Sequence, residues 1–204
     1  IDELGELFIT SEKGLGMVIG IVKEGRAYIN GFGSTELHNQ IKPTRETIFE
    51  LSSAGKTLTA SALQIMNDRG ELPLDSKIKD LLSPDINLSQ IANDTTVLNL
   101  ATHASGFPFM PKDLDKKIQD TILPYKDITR EDIDLYLSHC SEKTPEGDFR
   151  YSDFGMGLLG HILVCHANDS FENIIKNEIC DKLDMKNTTM TLTKEQRKLL
   201  AKGY

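Results

Sequence analysis

Two residue pairs in this sequence set a serine hydroxyl one helical turn ahead of a lysine: Ser53 with Lys56, and Ser76 with Lys79. A serine hydroxyl is a weak nucleophile until a neighbour takes its proton, and a lysine in an apolar setting can be that neighbour. The spacing alone is weak evidence, since 13 serines and 17 lysines among 204 residues yield about one such pair by chance. Context separates the two. Ser53 opens a run in which Leu58, Ala62, Ile65 and Met66 recur at helical spacing, so Lys56 falls one turn on along the same face. A helix start brings free backbone N–H groups and the positive end of the dipole, both suited to an oxyanion, and Ala54 and Gly55 leave space above the serine. Ser76 and Lys79 instead lie in the charged stretch Asp75-Ser-Lys-Ile-Lys-Asp80, where Ser76 reads as a helix N-cap. Ser53 can be read as an N-cap too, and the tetrad alone does not decide.

Other chemistry is sparsely signalled. There is no G-x-S-x-G elbow, no H-E-x-x-H and no P-loop, and Gly14-x-Gly16 with Gly20 runs into a strand where a dinucleotide loop needs a helix. His161 and Cys165 share a helix face at i, i+4, a spacing that suits two metal ligands and equally a packed helix. Cys140, Cys165 and Cys180 form no C-x-x-C; they read as buried free thiols, with one disulfide left open. The 23 basic residues are dispersed among 31 acidic ones for a net charge of −8, so no basic stripe exists to hold a nucleic acid. Residues are 39% hydrophobic and 26% charged, the balance of a soluble globular chain, and no apolar run approaches the ~18 residues of a membrane span.

The elements that must position these residues follow from periodicity. Residues 16–33 read as two strands joined at Lys23-Glu24-Gly25, the first so uniformly apolar that it should be covered on both faces. The Ser53 helix should end at Gly70. Further helices are expected near 76–82, 95–102 and 130–139, the last behind a capping box of Thr129 and Asp132. Others are expected from Ser152 to about His166, from the N-cap Ser170 through Ile174, Ile175 and Ile179, and from Thr193-x-x-Gln196 almost to Tyr204. The expectation is a single α+β domain over 1–204, with a 16–33 hairpin and a mostly helical part over 53–204. Two strands make a poor sheet, so the hairpin should present an apolar edge and face.

Five ordered stretches resemble one family. Thr47-Ile-Phe-Glu-Leu-Ser-Ser-Ala-Gly-Lys-Thr-Leu-Thr-Ala60 is similar to the active-site segment of the class C β-lactamase and penicillin-binding serine hydrolase superfamily. The hairpin 16–33 resembles its first sheet strands, and Leu100-Ala-Thr-His-Ala-Ser-Gly-Phe-Pro108 its T-H-T-S-G-L-P loop. Pro145-Glu-Gly-Asp-Phe-Arg-Tyr-Ser-Asp-Phe-Gly-Met-Gly-Leu-Leu-Gly160 resembles its P-G-x-x-x-x-Y-S-N segment, and Leu183 to Tyr204 its L-G-M…A-x-G-Y stretch. The resemblance implies the α/β-α fold of the serine β-lactamases. It implies Ser53 as acylating nucleophile, Lys56 as its activating partner and Tyr151 as the acid/base that carries a proton to the leaving group. The Ser53 N–H would be one oxyanion donor. His103 then belongs to a mostly architectural loop. No cofactor or metal is implied.

Two departures from the family pattern stand out. Asp153 occupies the place of an Asn at the substrate-binding position; Asn can donate to a substrate carbonyl, whereas an ionised Asp only accepts and should favour a protonated Lys56. Amide-side-chain β-lactams should therefore be handled poorly, leaving esters, peptides or amine-bearing substrates. The third family motif, K-T-G or H-x-G, does not occur after Tyr151. The remaining sheet strands and the second oxyanion donor are thus expected from a C-terminal companion fragment, or a homodimer partner covers the sheet. The function expected is hydrolysis of an amide or ester (β-lactam, D-Ala-D-Ala peptide or ester) through a Ser53 acyl-enzyme. The substrate is a small molecule or a peptidoglycan-derived group, and the location periplasmic or extracellular by family analogy. The rivals are a non-hydrolytic penicillin-recognising or wall-sensing protein, and an inactive fragment.

Overall fold

The computed structural model describes residues 1–204 except 12–13, 39, 121–123, 142–147 and 204, and the Ile91 side chain. Pro145, Glu146 and Gly147 of the Tyr151 segment, and Tyr204, therefore lie outside the described residues. In chain order the elements are α1 (Asp2–Thr10), β1 (Gly16–Lys23), β2 (Arg26–Gly33), α2 (Lys56–Asp68), α3 (Gln90–Asn93), α4 (Val97–Ala101), α5 (Lys112–Asp115), α6 (Arg130–His139), α7 (Asp153–Ala167), α8 (Phe171–Ile175) and α9 (Lys194–Lys198). They fall into two compact units, residues 1–52 with 186–204, and residues 53–185.

The smaller unit is built on the hairpin. Strands β1 and β2 pair antiparallel from Gly16↔Gly33 to Lys23↔Arg26. The two-residue loop between them puts Glu24 and Gly25 at φ 52° and 73°, the left-handed turn that matches strand twist. Gly31 is required by close approach, since a Cβ there would lie 1.8 Å from the Pro43 carbonyl oxygen. Strand β1 is not covered on both faces within this chain. Val22 is 78% exposed, and Tyr28 and Ile29 of β2 are also open; α1 and the stretch around Pro43 pack beside the pair without reaching these residues' side chains enough to bury them. Helix α1 was not expected from the sequence. The helix behind the Thr193/Gln196 capping box stops at Lys198, well short of Tyr204. Beyond it the backbone turns extended and pairs with Ile48: Ile48 N–H donates to Leu199 O, and Ala201 N–H to Ile48 O.

The larger unit surrounds α7, which is buried on most sides through Phe154, Met156, Leu158, Leu159, Ile162 and Leu163. Ser152 caps its start by accepting from Gly155 N–H, and Asn168 in the left-handed region ends it. Helix α2 lays Thr59, Ala62, Leu63 and Met66 into the same core, with Leu58 and Ile65 partly covered. It closes in a Schellman turn: Gly70 N–H donates to Asn67 O and Glu71 N–H to Met66 O. The capping box of Thr129 and Asp132 starts α6, and a box of Thr96 and Asn99 starts α4. The α8 helix continues into a π-type turn over Lys176–Cys180 that buries Ile179 and Cys180.

Two expectations are corrected here. The helix near 76–82 shrinks to a 3-10 turn over Ile78–Asp80, and its N-cap is Lys77, without a side-chain bond, in place of Ser76. Residues 76–78 instead pair with 95–97: Ile78 N–H donates to Thr95 O and Val97 N–H to Ser76 O. Cys140 and Cys180 are buried, but Cys165 is exposed, because the last turn of α7 runs past the core; all three thiols are free.

Because α7 is packed on nearly every side, truncating Leu159 (0% exposed) to Ala should remove about 3 kcal/mol of stability by transfer and cavity terms. Leu135→Ala, on the open side of α6, should change it by less than about 0.5 kcal/mol. Urea unfolding of the two variants checks this, and equal losses would contradict the burial pattern.

Candidate active site

Ser53 sits in a 3-10 turn over Ser52–Gly55 that leads into α2. It does not cap the helix: the N-cap is Gly55, and no side chain makes the capping bond. Its Oγ instead accepts from Lys56 Nζ at 3.0 Å. The turn begins at Ser52 with φ 46°, a left-handed conformation that turns the chain sharply before the nucleophile. Gly55 has open space where a Cβ would stand, so the serine is uncrowded from that side.

Lys56 is the centre of the cluster. Its Nζ lies 2.8 Å from Asp153 Oδ1, both side chains being mostly covered, and 5.2 Å from the centroid of the Tyr151 ring. Partial burial opposes the charge on Lys56. Hydrogen bonds with Asp153 and Tyr151, and the field of both, outweigh it and leave the ammonium above its ordinary pKa. Tyr151 is moved the other way: hydrogen bonding with Ser53 and then with Lys56 draws its hydroxyl below the usual phenol range. The two shifts assign different work. An ammonium that donates to Ser53 Oγ cannot also take its proton, whereas a phenol made more acidic is nearer to a phenolate that can.

A clamp between two segments holds Tyr151 in place. Residues 103–109 run against 150–155, with Arg150 N–H donating to His103 O at 2.7 Å and Phe154 N–H to Phe109 O at 3.0 Å. Ser152 N–H donates to His103 Nδ1 at 3.1 Å, and Ser152 Oγ–H to Pro108 O at 2.7 Å. His103 itself has φ 57°, and its ring stands 4.4 Å from the Tyr151 ring, centroid to centroid. Burial and then the Lys56 charge lower the His103 pKa, which keeps Nδ1 free to accept the Ser152 N–H. His103 is thus a brace for the Tyr151 segment. Phe109 also stacks on Tyr151, at 6.2 Å between ring centroids.

The structure brings Ser53, Lys56, Tyr151 and Asp153 together, and it keeps Ser76 and Lys79 out of this cluster. His161 and Cys165 approach each other at 3.5 Å. No group of three or more His, Cys, Asp or Glu placed to hold a metal occurs among the described residues. One member of the cluster had no sequence signal: Tyr125 donates its hydroxyl to Asp153 Oδ2 at 2.6 Å. It lies in irregular chain with no periodicity or motif around it.

Replacing Asp153 with Asn should shift the pH dependence of Ser53 reactivity. Lys56 would lose the negative charge that favours its ammonium, and Tyr151 a negative neighbour that raises its pKa. Both changes make the free base available at lower pH. The alkaline-going rise in the rate of fluorophosphonate labelling should therefore move down by about one pH unit in Asp153→Asn; an upward shift would refute this electrostatic assignment.

Comparison with known proteins gives the cluster a context. The profile of the family described as Beta-lactamase matches residues 2–204. The chain is 28% identical over 207 residues to a Beta-lactamase of Providencia stuartii, covering 100% of this chain and 50% of that protein. It is 23% identical to the D-alanyl-D-alanine-carboxypeptidase/endopeptidase AmpH of Escherichia coli (strain K12), covering 96% of this chain and 50% of that one. The crystal structure of a class C β-lactamase superposes with a TM-score of 0.84 at 25% identity, over 100% of this chain and 53% of that chain. The chain thus spans about half the length of the relatives it matches. Sequence profile and backbone agree over nearly every residue: the chain belongs to the Beta-lactamase family.

Proposed function

We propose that this chain carries the nucleophile-bearing half of a serine hydrolase that cleaves an amide or ester bond, in a β-lactam, a D-Ala-D-Ala peptide or an ester, through a Ser53 acyl-enzyme. The observation that supports this best is the Lys56 ammonium at 3.0 Å from Ser53 Oγ, with the acidified Tyr151 hydroxyl on the same two groups. With Tyr151 as the phenolate beside the Lys56 ammonium, Ser53 Oγ attacks the carbonyl carbon while its proton passes to the Tyr151 oxygen, leaving Tyr151 as the neutral phenol. Lys56 keeps its own proton and stabilises the phenolate. The tetrahedral oxyanion is met by the Ser53 N–H. Its collapse breaks the bond to the leaving group, which takes the proton from Tyr151 and departs as amine or alcohol. Water then attacks the acyl carbonyl, giving up a proton to Tyr151; collapse of that intermediate breaks the bond to Ser53 Oγ, which takes the proton back from Tyr151, and the acid is released.

Relatives of this chain include both a Beta-lactamase and a D-alanyl-D-alanine carboxypeptidase, which supports a β-lactam or a peptidoglycan-derived peptide as the substrate class. Such substrates would place the protein in the periplasm or outside the cell. No helix among the described residues is long and apolar enough to cross a membrane. In this reading a companion segment or a second copy supplies the second oxyanion donor. The Lys56–Asp153 pair also supports a second reading, a penicillin-recognising protein that is acylated and not turned over.

Intact-mass measurement with a fluorophosphonate and with a penicillin tests these readings. One adduct on Ser53, lost in Ser53→Ala and formed roughly 100-fold more slowly in Tyr151→Phe, is expected. Wild-type protein that gains no adduct on Ser53 would overturn the hydrolase reading. Release of the penicilloyl group with time identifies the hydrolase, and a persistent adduct the recogniser.

A further inference from the structure

The carboxylate that pairs with Lys56 is held from two sides. Asp153 Oδ1 is shut off from solvent and faces the Lys56 ammonium at 2.8 Å, an ion pair without a well-aligned hydrogen bond. Asp153 Oδ2 takes the hydroxyl proton of Tyr125 at 2.6 Å. Tyr125 is 43% exposed, so the pair opens to solvent on its side. Burial and then the bond to Asp153 push the Tyr125 phenol up to about 12, and its proton stays in place across the physiological range.

The hydrogen-bonding character of this edge follows from valence. An ionised carboxylate has only lone pairs to offer, and a phenol whose one proton is committed to that carboxylate likewise offers only lone pairs. A substrate that brought a bare carbonyl oxygen here would set acceptor against acceptor and lose its water without replacement. A substrate that brought an ammonium or hydroxyl would complete the network. An Asn at 153 would instead present an amide N–H, and this edge would then welcome a carbonyl.

We propose that Tyr125 is a specificity-determining residue of the Ser53 site: by fixing Asp153 on Lys56 and leaving only acceptors beside it, Tyr125 selects acyl groups that carry a primary amine or hydroxyl next to the carbonyl attacked by Ser53. The inference rests on the hydrolase reading above and adds no covalent step to it. The selection is exerted on the acyl half of the substrate, whichever leaving group that half carries.

The test compares p-nitrophenyl esters of alanine and of isobutyric acid, which differ by an ammonium in place of a methyl group. Release of p-nitrophenolate reports acylation whether or not the acyl-enzyme turns over, and each rate is divided by that ester's spontaneous hydrolysis. The ratio of alanyl to isobutyryl reactivity should fall about tenfold from wild type to Tyr125→Phe, and at least as far in Asp153→Asn. If Tyr125→Phe does not fold by circular dichroism, Asp153→Asn together with Tyr125→Leu carries the same comparison. A ratio that falls only in Asp153→Asn overturns the role of Tyr125. A ratio unchanged in every variant, with Ser53 still labelled by fluorophosphonate, overturns the inference and leaves the hydrolase reading standing. Wild-type protein that no fluorophosphonate labels overturns both.

Discussion

The ion pair between Lys56 and Asp153, 2.8 Å apart with both side chains mostly covered, is the interaction on which the site depends. A lysine placed one turn after a serine in a half-buried setting must either give up its proton or find a counter-charge. Here it finds one, and the consequences spread to every neighbour. The ammonium persists, it donates to Ser53, and it draws down the Tyr151 phenol. The carboxylate is in turn oriented by Tyr125. Five side chains from three separate stretches of chain thereby form one network with a single electrostatic logic.

Such a network is only as well defined as the elements that hold it. Ser53 and Lys56 stand on the entry to α2, and Asp153 on the first turn of α7; both helices are anchored by apolar faces in the core of the larger unit. Four bonds between 103–109 and 150–155 fix the Tyr151 segment, and two of them join peptide groups whose geometry side-chain motion does not disturb. His103, the residue that most tempts as a base, contributes as an acceptor for a backbone N–H. The division is physically sensible: rigid helices carry the reacting groups, and a clamped loop sets the angle of the aromatic one.

The smaller unit is organised on different terms. Its two strands satisfy each other along one edge only, and apolar residues such as Val22, Tyr28 and Ile29 remain open to solvent. The apolar run in β1 that made both faces look buried describes what such a strand can pack against. The burial in this chain is set by what is actually beside it. The pairing of Ile48 with Leu200 shows the same priority, since an extended backbone partner there ends a helix that local capping had started well.

By itself the sequence determined the elements whose signals are local: the hairpin turn at Glu24-Gly25, the α2 and α7 periodicities, the caps at Thr129, Ser152, Ser170 and Thr193, and the spacing of Ser53 and Lys56. A capping side chain or a 3.6-residue repeat acts over a few residues, so its effect can be read from those residues alone. Tertiary structure decided the rest. Ser76 became part of a pairing with residues near 96, not a cap, because long-range backbone bonds outcompeted a weak local one. Cys165 came to the surface because the core ends before the last turn of α7. The Asp153–Tyr125 bond joins residues 28 apart in sequence, a contact that no periodicity encodes and only the fold can make.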